Sequence, residues 1–142
     1  MQIIQINKST RPPEIIYETA QKMFGVDFNK GATFTVGNTI HSKEFPISDD
    51  LLEHEQVHVI QQTNYDGGWQ AWWDRYFEDP YFRYVQELEA YQKQYKYYCS
   101  KHKDRNDRAK FLHIISTHLT TIYGLQAIGL SLKQAKDRIQ LK

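Results

Sequence analysis

The stretch SDDLLEHEQVHVIQQTN, residues 48–64, joins a helix start to an HExxH pattern at its centre. Ser48 offers a hydroxyl cap, and Asp49 and Asp50 put two acids where the positive end of a helix favours them. The spacing predicts a helix running to about Asn64. On a wheel of about 100° per residue, Leu52, Val57, Val59 and Ile60 cover one broad side, while His54, Glu55, His58, Gln61 and Gln62 share the other. A polar face turned to solvent ordinarily carries Lys, Glu and Ser; imidazoles and amides suit the wall of a cleft. His54 and His58 stand one turn apart, with about 6 Å between their β-carbons, so both rings can reach one tetrahedral Zn²⁺. Glu55 projects about 100° further round and reaches a metal-bound water without ligating the metal, which makes it the candidate general base.

Working towards the N-terminus, 33–36 and 39–42 are rich in β-branched residues and flank Gly37-Asn38, a two-residue hairpin signal. Residues 2–7, with Ile4 and Ile6 on one face and Gln2 and Gln5 interrupting the apolar run, read as a first strand. Between these lies a predicted helix. Pro12 and Pro13 suit its first turn, Ile15, Ile16, Ala20, Met23 and Phe24 form its apolar stripe, and Gly25 is its C-terminal cap.

Towards the C-terminus, Gly67-Gly68 breaks the chain, and Trp69, Trp72, Trp73, Tyr76 and Phe77 recur at helical spacings. Such an aromatic stripe reads as core or lid packing, with a substrate-side wall as the alternative. Asp79-Pro80 opens a helix to about Tyr98 whose predicted buried stripe is Tyr81, Tyr84, Val85, Leu88, Tyr95 and Cys99. Residues 106–119 make a further helix, and Ser131-x-x-Gln134 is a capping box for a last one ending near Ile139. The expected class is therefore α+β: a small N-terminal sheet with a helix, a central HExxH helix and a C-terminal helical part, in one domain over 1–142.

Composition removes several function classes. A net charge of +1 gives no long-range field to recruit nucleic acid or an anionic membrane. The basic run Lys101, Lys103, Arg105, Arg108 and Lys110 is interrupted by Asp104 and Asp107 and reads as a solvated interhelical loop. The single cysteine, Cys99, excludes an intrachain disulfide and a thiolate zinc site, so a bound metal must use nitrogen and oxygen ligands. The start MQIIQINKST lacks the apolar core of a signal peptide, and no stretch approaches the ~20 apolar residues of a membrane span. The expectation is a protein that is cytoplasmic or released by a route that needs no signal, without a membrane partner.

A catalytic zinc site takes three protein ligands and leaves a position for water. On the helix opened by Pro80, Glu87 and Glu89 both compete to be the third ligand, on opposite flanks of the apolar stripe, and the wheel does not choose between them. HEQVH followed by Val59-Ile60-Gln61-Gln62, preceded by Gly37-Asn38-Thr39-Ile40 and the Ser-Asp-Asp-Leu-Leu helix start, resembles the HExxHxxQQ zincins. These occur in contractile-injection-system core domains and as small phage-encoded metallopeptidases. The similarity covers roughly residues 30–100. In gluzincins the third ligand is the Glu of an ExxA segment, often followed by Asp; here this maps onto Glu87-Leu88-Glu89-Ala90 and then Tyr91, which favours Glu87. Tyr91 stands where an Asp would orient a zinc-bound histidine.

The resemblance implies a zinc-dependent metallopeptidase acting on a peptide or protein substrate. Zn²⁺ would lower the pKa of its water towards about 7 and polarise the scissile carbonyl, and Glu55 would take the proton and pass it to the leaving amine. Tyr91, Tyr123, His113 or His118 would supply a second donor to the developing oxyanion. His113 and His118, five residues apart, cannot form a second site like the first, and each reads more simply as a structural or surface residue. His41 reads as an ordinary strand residue or as a cleft-lining one, since zincin-like folds pair extended substrate with an edge strand. Gln61 and Gln62 are expected to hydrogen-bond neighbouring backbone. The alternative is a non-catalytic zincin-fold structural or interaction protein of a phage virion or contractile injection system, in which the aromatic residues serve an interface.

Overall fold

A computed structural model describes residues 5–7, 11–43 and 47–141. The architecture is α+β and mostly helical, with one small sheet near the N-terminus. Strands β1 (Gln5–Asn7), β2 (Phe34–Val36) and β3 (Thr39–His41) run in the order β1-β3-β2, β1 parallel and β2 antiparallel to β3. Gly37, with φ 62°, supplies the positive dihedral that the two-residue turn needs. The strands are a residue shorter than the β-branched runs, but the hydroxyl of Thr33 still meets that of Ser42 at 3.3 Å beyond the pairing. Ile4 and Gln2 of the expected first strand lie outside the described residues. His41 sits on β3, the middle strand, which removes the expectation that it lines an edge open to substrate.

Helix α1 (Glu14–Phe24) ends as its sequence requires, with Gly25 left-handed at φ 71°. Its buried face is Ile16, Tyr17 and Ala20, whereas Ile15 is 70% and Met23 49% exposed. The expected stripe was rotated because Tyr17 turns inward, its hydroxyl donating to Asp27 at 2.9 Å. Helix α2 (Asp49–Asn64) starts at Ser48, yet the serine hydroxyl makes no capping bond. The entry is held instead by the Leu52 amide on the Ser48 carbonyl and by the two acids of the first turn.

Helix α3 (Gly68–Glu78) leads directly into α4 (Pro80–Lys101), and between them the Asp79 carboxylate accepts the amides of Tyr81 and Phe82. The predicted apolar stripe of α4 is only partly buried: Tyr84 is, but Tyr81 is 66% and Val85 41% exposed. The helix is covered from two sides, by α2 and α3 on one and by α5 (Arg105–Thr121) and α6 (Leu132–Ile139) on the other. One stripe cannot describe such a helix, and Arg83, Glu87 and Gln94 are buried in it too. The basic run is a loop only over 102–104; Arg105, Arg108 and Lys110 ride on α5, and Arg108 donates to the carbonyls of Cys99 and His102 at the end of α4. Ser131 and Gln134 close the capping box at α6 reciprocally, at 2.9 and 3.1 Å.

Two apolar clusters result. One gathers α1, the hairpin, α3 and the start of α4 around Phe28, Trp72 and Tyr76; the other gathers α4, α5 and α6 around Leu119, Leu125 and Ile139. Buried polar residues of α2 and α4 lie between them. Among the described residues no helix is long and apolar enough to cross a membrane.

Candidate metal centre

Helix α2 packs along α4 with its polar face inward. His54, Glu55, His58 and Gln62 are buried, and Ile60 on the opposite side is 58% exposed. This inverts the ordinary partition of an amphipathic helix, and the buried polar groups must therefore be satisfied individually. Glu87, reaching across from α4, faces both rings: its Oε1 lies 3.2 Å from His54 Nε2 and 3.3 Å from His58 Nε2. The ligand atoms of these three residues all lie within 4.8 Å of one another. Glu89 points away and is exposed, so the structure brings Glu87 and not Glu89 to the histidines.

The charges follow from this crowding. Burial works against a charge on His58, but the Glu87 carboxylate beside it prevails and pushes its pKa up to about 9. Burial would likewise raise Glu87, and the neighbouring His58 and His54 outweigh it, holding the carboxyl far below its usual range. The Tyr76 hydroxyl donates to Glu87 Oε2 at 2.6 Å. Oε1 is left buried without an aligned hydrogen bond, although two ring nitrogens stand next to it. Two imidazole nitrogens and one carboxylate oxygen that converge on a common point could hold a metal ion.

Each histidine is held by its other nitrogen. His54 Nδ1 lies 2.9 Å from Gln94 Oε1, and His58 Nδ1 lies 2.8 Å from Gln61 Oε1. An amide oxygen only accepts, so both Nδ1 atoms carry a proton, and Nε2 is the nitrogen that each ring turns towards Glu87. Tyr91, in the position of the usual Asp, does not take this role; its ring packs edge-on against His54 at 4.5 Å. Trp72 packs against His58 at 5.6 Å and anchors itself by donating to Gln86. The aromatic stripe of α3 is therefore core that also orients the site.

Glu55 is buried at the same point. Its Oε1 accepts the Thr35 hydroxyl at 2.8 Å, and its Oε2 lies 4.0 Å from His54 Nε2. Beside these groups is a partly open cavity of about 30 Å³, bounded by Thr35, Tyr76, Tyr123 and Phe24 as well as by the histidines and both glutamates. It has room for an ion and a water. Tyr123 adopts φ 56°, a conformation that costs a non-glycine residue about 1–3 kcal/mol and that the rest of the fold sustains here. Burial, with Glu87 and then Glu55 adding to it, keeps its hydroxyl protonated far into alkali. His113 and His118 sit on exposed positions of α5, and the nearer, His118, has its ring 6.4 Å from that of Tyr91.

The edge of β2 is closed to a strand from outside at its centre. The Thr35 carbonyl accepts Gln62 Nε2 at 2.8 Å and Trp73 Nε1 at 3.0 Å, and the Gly37 amide donates to Gln62 Oε1 at 2.7 Å. Gln62 and Gln61 thus both bond backbone as expected, Gln61 through the Gln86 carbonyl at 3.1 Å, and Gln61 also holds a histidine.

Gln94, Asp50, Tyr76 and Thr35 are the partners that residue patterns did not single out. Gln94 was legible in principle, seven residues and two turns beyond Glu87 on one face of α4. Comparison with protein-family models, curated protein sequences and solved structures gives no match, and the centre's own geometry is what carries a functional reading.

Proposed function

We propose that this chain is a zinc-dependent metallopeptidase of the HExxH zincin kind, gluzincin-like in its ligands, with His54, His58 and Glu87 holding the metal. The observation that carries this reading is the convergence of two Nε2 atoms and the unbonded Glu87 Oε1 on one point, with the Glu55 carboxylate beside it. A purely structural site does not need that second carboxylate.

When bound, zinc supplies Lewis-acid chemistry, lowering the pKa of a water towards about 7 and polarising a carbonyl. Thr35 fixes one oxygen of Glu55 and leaves Oε2 on the cavity side, where it accepts the proton of the attacking water and returns it to the leaving amine. Gln94 and Gln61 keep the two histidines in the tautomer that offers Nε2. Tyr76 aligns Glu87. Tyr123, protonated and on the wall of the same cavity, donates to the oxygen that gains charge in the transition state.

Replacing Glu55 by Gln tests this. The variant should keep one zinc per chain and lose peptide hydrolysis by about 10²–10⁴-fold. Cleavage at the wild-type rate by Glu55→Gln would contradict the mechanism.

Two observations favour a second reading. The cavity is small, and the β2 edge that would pair with an extended substrate is capped at Thr35. A zincin-fold structural protein of a phage virion or injection apparatus would have both features. Under that reading the wild type binds zinc, hydrolyses no peptide, and loses thermal stability when the metal is removed.

A further inference from the structure

Behind each metal-facing histidine stands the same three-part chain of groups. His54 Nδ1 meets Gln94 Oε1, and Gln94 Nε2 donates to Asp50 Oδ2 at 2.8 Å. His58 Nδ1 meets Gln61 Oε1, and Gln61 Nε2 donates to Glu89 Oε1 at 2.7 Å. In each chain an amide stands between the imidazole and a carboxylate nearer the surface.

The order of groups has a consequence. An ionised carboxylate has only acceptors, so it draws the NH₂ end of the amide outwards. The amide oxygen is then necessarily inward, where it can only accept. The imidazole must place a proton on Nδ1, so Nε2 is the nitrogen left to ligate a metal. Were the amide turned round, its NH₂ would face Nδ1, the proton would move to Nε2, and the ligand atom would be blocked. A glutamine alone does not decide between these arrangements, since its two ends have the same shape; the outer carboxylate does.

The two chains differ in redundancy. Gln61 Nε2 also donates to the Gln86 carbonyl at 3.1 Å, a second acceptor that no side-chain substitution removes. For Gln94 the acceptor at Nε2 is Asp50. Resting on the metal site proposed above, we propose that Asp50 and Glu89 are positioning residues that set the histidine tautomers through Gln94 and Gln61, and that zinc binding depends on Asp50 more than on Glu89.

Reversing the polarity of the outer group tests this without any assay of activity. Zinc affinity is read by chelator competition, and the protonated ring nitrogen of each histidine by ¹⁵N–¹H correlation on the zinc-loaded protein. Asp50→Lys replaces an acceptor by a donor, draws the amide oxygen of Gln94 outwards, and should weaken zinc binding about 10–100-fold. His54 of the metal-free variant should then show protonation at Nε2. Adding Gln94→Glu to Asp50→Lys restores an acceptor facing both ways and should recover most of the affinity, which a general loss of packing would not. Glu89→Lys should cost less, because the Gln86 carbonyl remains.

Lysine in the first turn of α2 also opposes the helix dipole. Should Asp50→Lys fail to fold, Asp50→Asn carries the test: an amide there can face either way, so affinity should fall and the Nδ1–H signal of His54 should become mixed. Wild-type affinity within about twofold for the Asp50 variants, against the 10–100-fold cost expected of an outer partner, would overturn the proposal while leaving the metal site intact. A wild type that binds no zinc would overturn both.

Discussion

One side of α4 lays Tyr84, Leu88 and Tyr95 against α5 and α6, whose Leu119, Leu125 and Ile139 are almost wholly buried; the other side sets Arg83, Glu87 and Gln94 against α2 and α3. The first side is held by burial of apolar area, which has no direction and tolerates change as long as volume is kept. The second is held by directed bonds. Tyr76 fixes Glu87, the Tyr76 carbonyl accepts Arg83, and Gln94 spans from His54 to Asp50. Each bond removed there strands a buried group at about 1–3 kcal/mol. The same helix therefore carries stability on one side and a preset arrangement of candidate ligands on the other, and the two should be separable by mutation.

The largest effect separates them from the apolar side. Leu119→Ala should lower the unfolding free energy by about 2–5 kcal/mol in urea titration and leave zinc affinity unchanged; a parallel loss of zinc binding would show that the two sides are not independent.

Next comes pH. In the metal-free protein the pKa of His58 stands at about 9 against an ordinary 6.5, so the folded state holds this proton more tightly than the unfolded chain does. The resulting stabilisation, on the order of 3 kcal/mol at 1.36 kcal/mol per unit, is whole below about pH 6.5 and drains away as pH rises through 9. Glu87, lowered from 4.5, contributes the other limb of the same interaction, present above pH 4.5 and lost as pH falls. Zinc affinity should move the opposite way between pH 6.5 and 9, rising as the competing proton leaves His58. Flat stability of the metal-free protein across that interval would break this account of the ion pair.

A smaller effect sharpens the polar side. Tyr76→Phe removes one hydroxyl and leaves Glu87 Oε2 unpaired, at about 1–3 kcal/mol in stability, with weaker zinc binding by calorimetry. The smallest lies on the outer face of α2: Ile60→Ser should shift stability by less than about 0.5 kcal/mol and zinc affinity not at all.

How much of this was legible beforehand depends on which side of α4 a residue serves. Helix and hairpin starts came through because they rest on local chemistry: Gly37 in the turn, Asp79-Pro80, Gly25, and the box of Ser131 and Gln134. The spacing of His54 and His58 is likewise local, one turn of one helix. The partner of that helix is not. A wheel centred on apolar residues put Glu87 and Glu89 on equivalent flanks of α4, because it assumed that the buried face is the apolar one. Here α2 presents imidazoles and amides to α4, so the buried residues at that contact are Glu87 and Gln94, Arg83 is buried against α3, and Val85 is left in solvent. Asp50 looked like a helix-start acid and nothing more, since its bond to Gln94 spans 44 positions. Residues that act across two helices carry no signature in either one.

The most direct measurement is zinc stoichiometry on purified wild type, Glu87→Ala and Glu89→Ala. One zinc per chain in wild type and in Glu89→Ala, with the metal lost or weakened in Glu87→Ala, is the outcome this geometry predicts. A folded wild type that takes up no zinc when incubated with it, or a site abolished by Glu89→Ala and kept by Glu87→Ala, would contradict the assignment of His54, His58 and Glu87 as the metal centre.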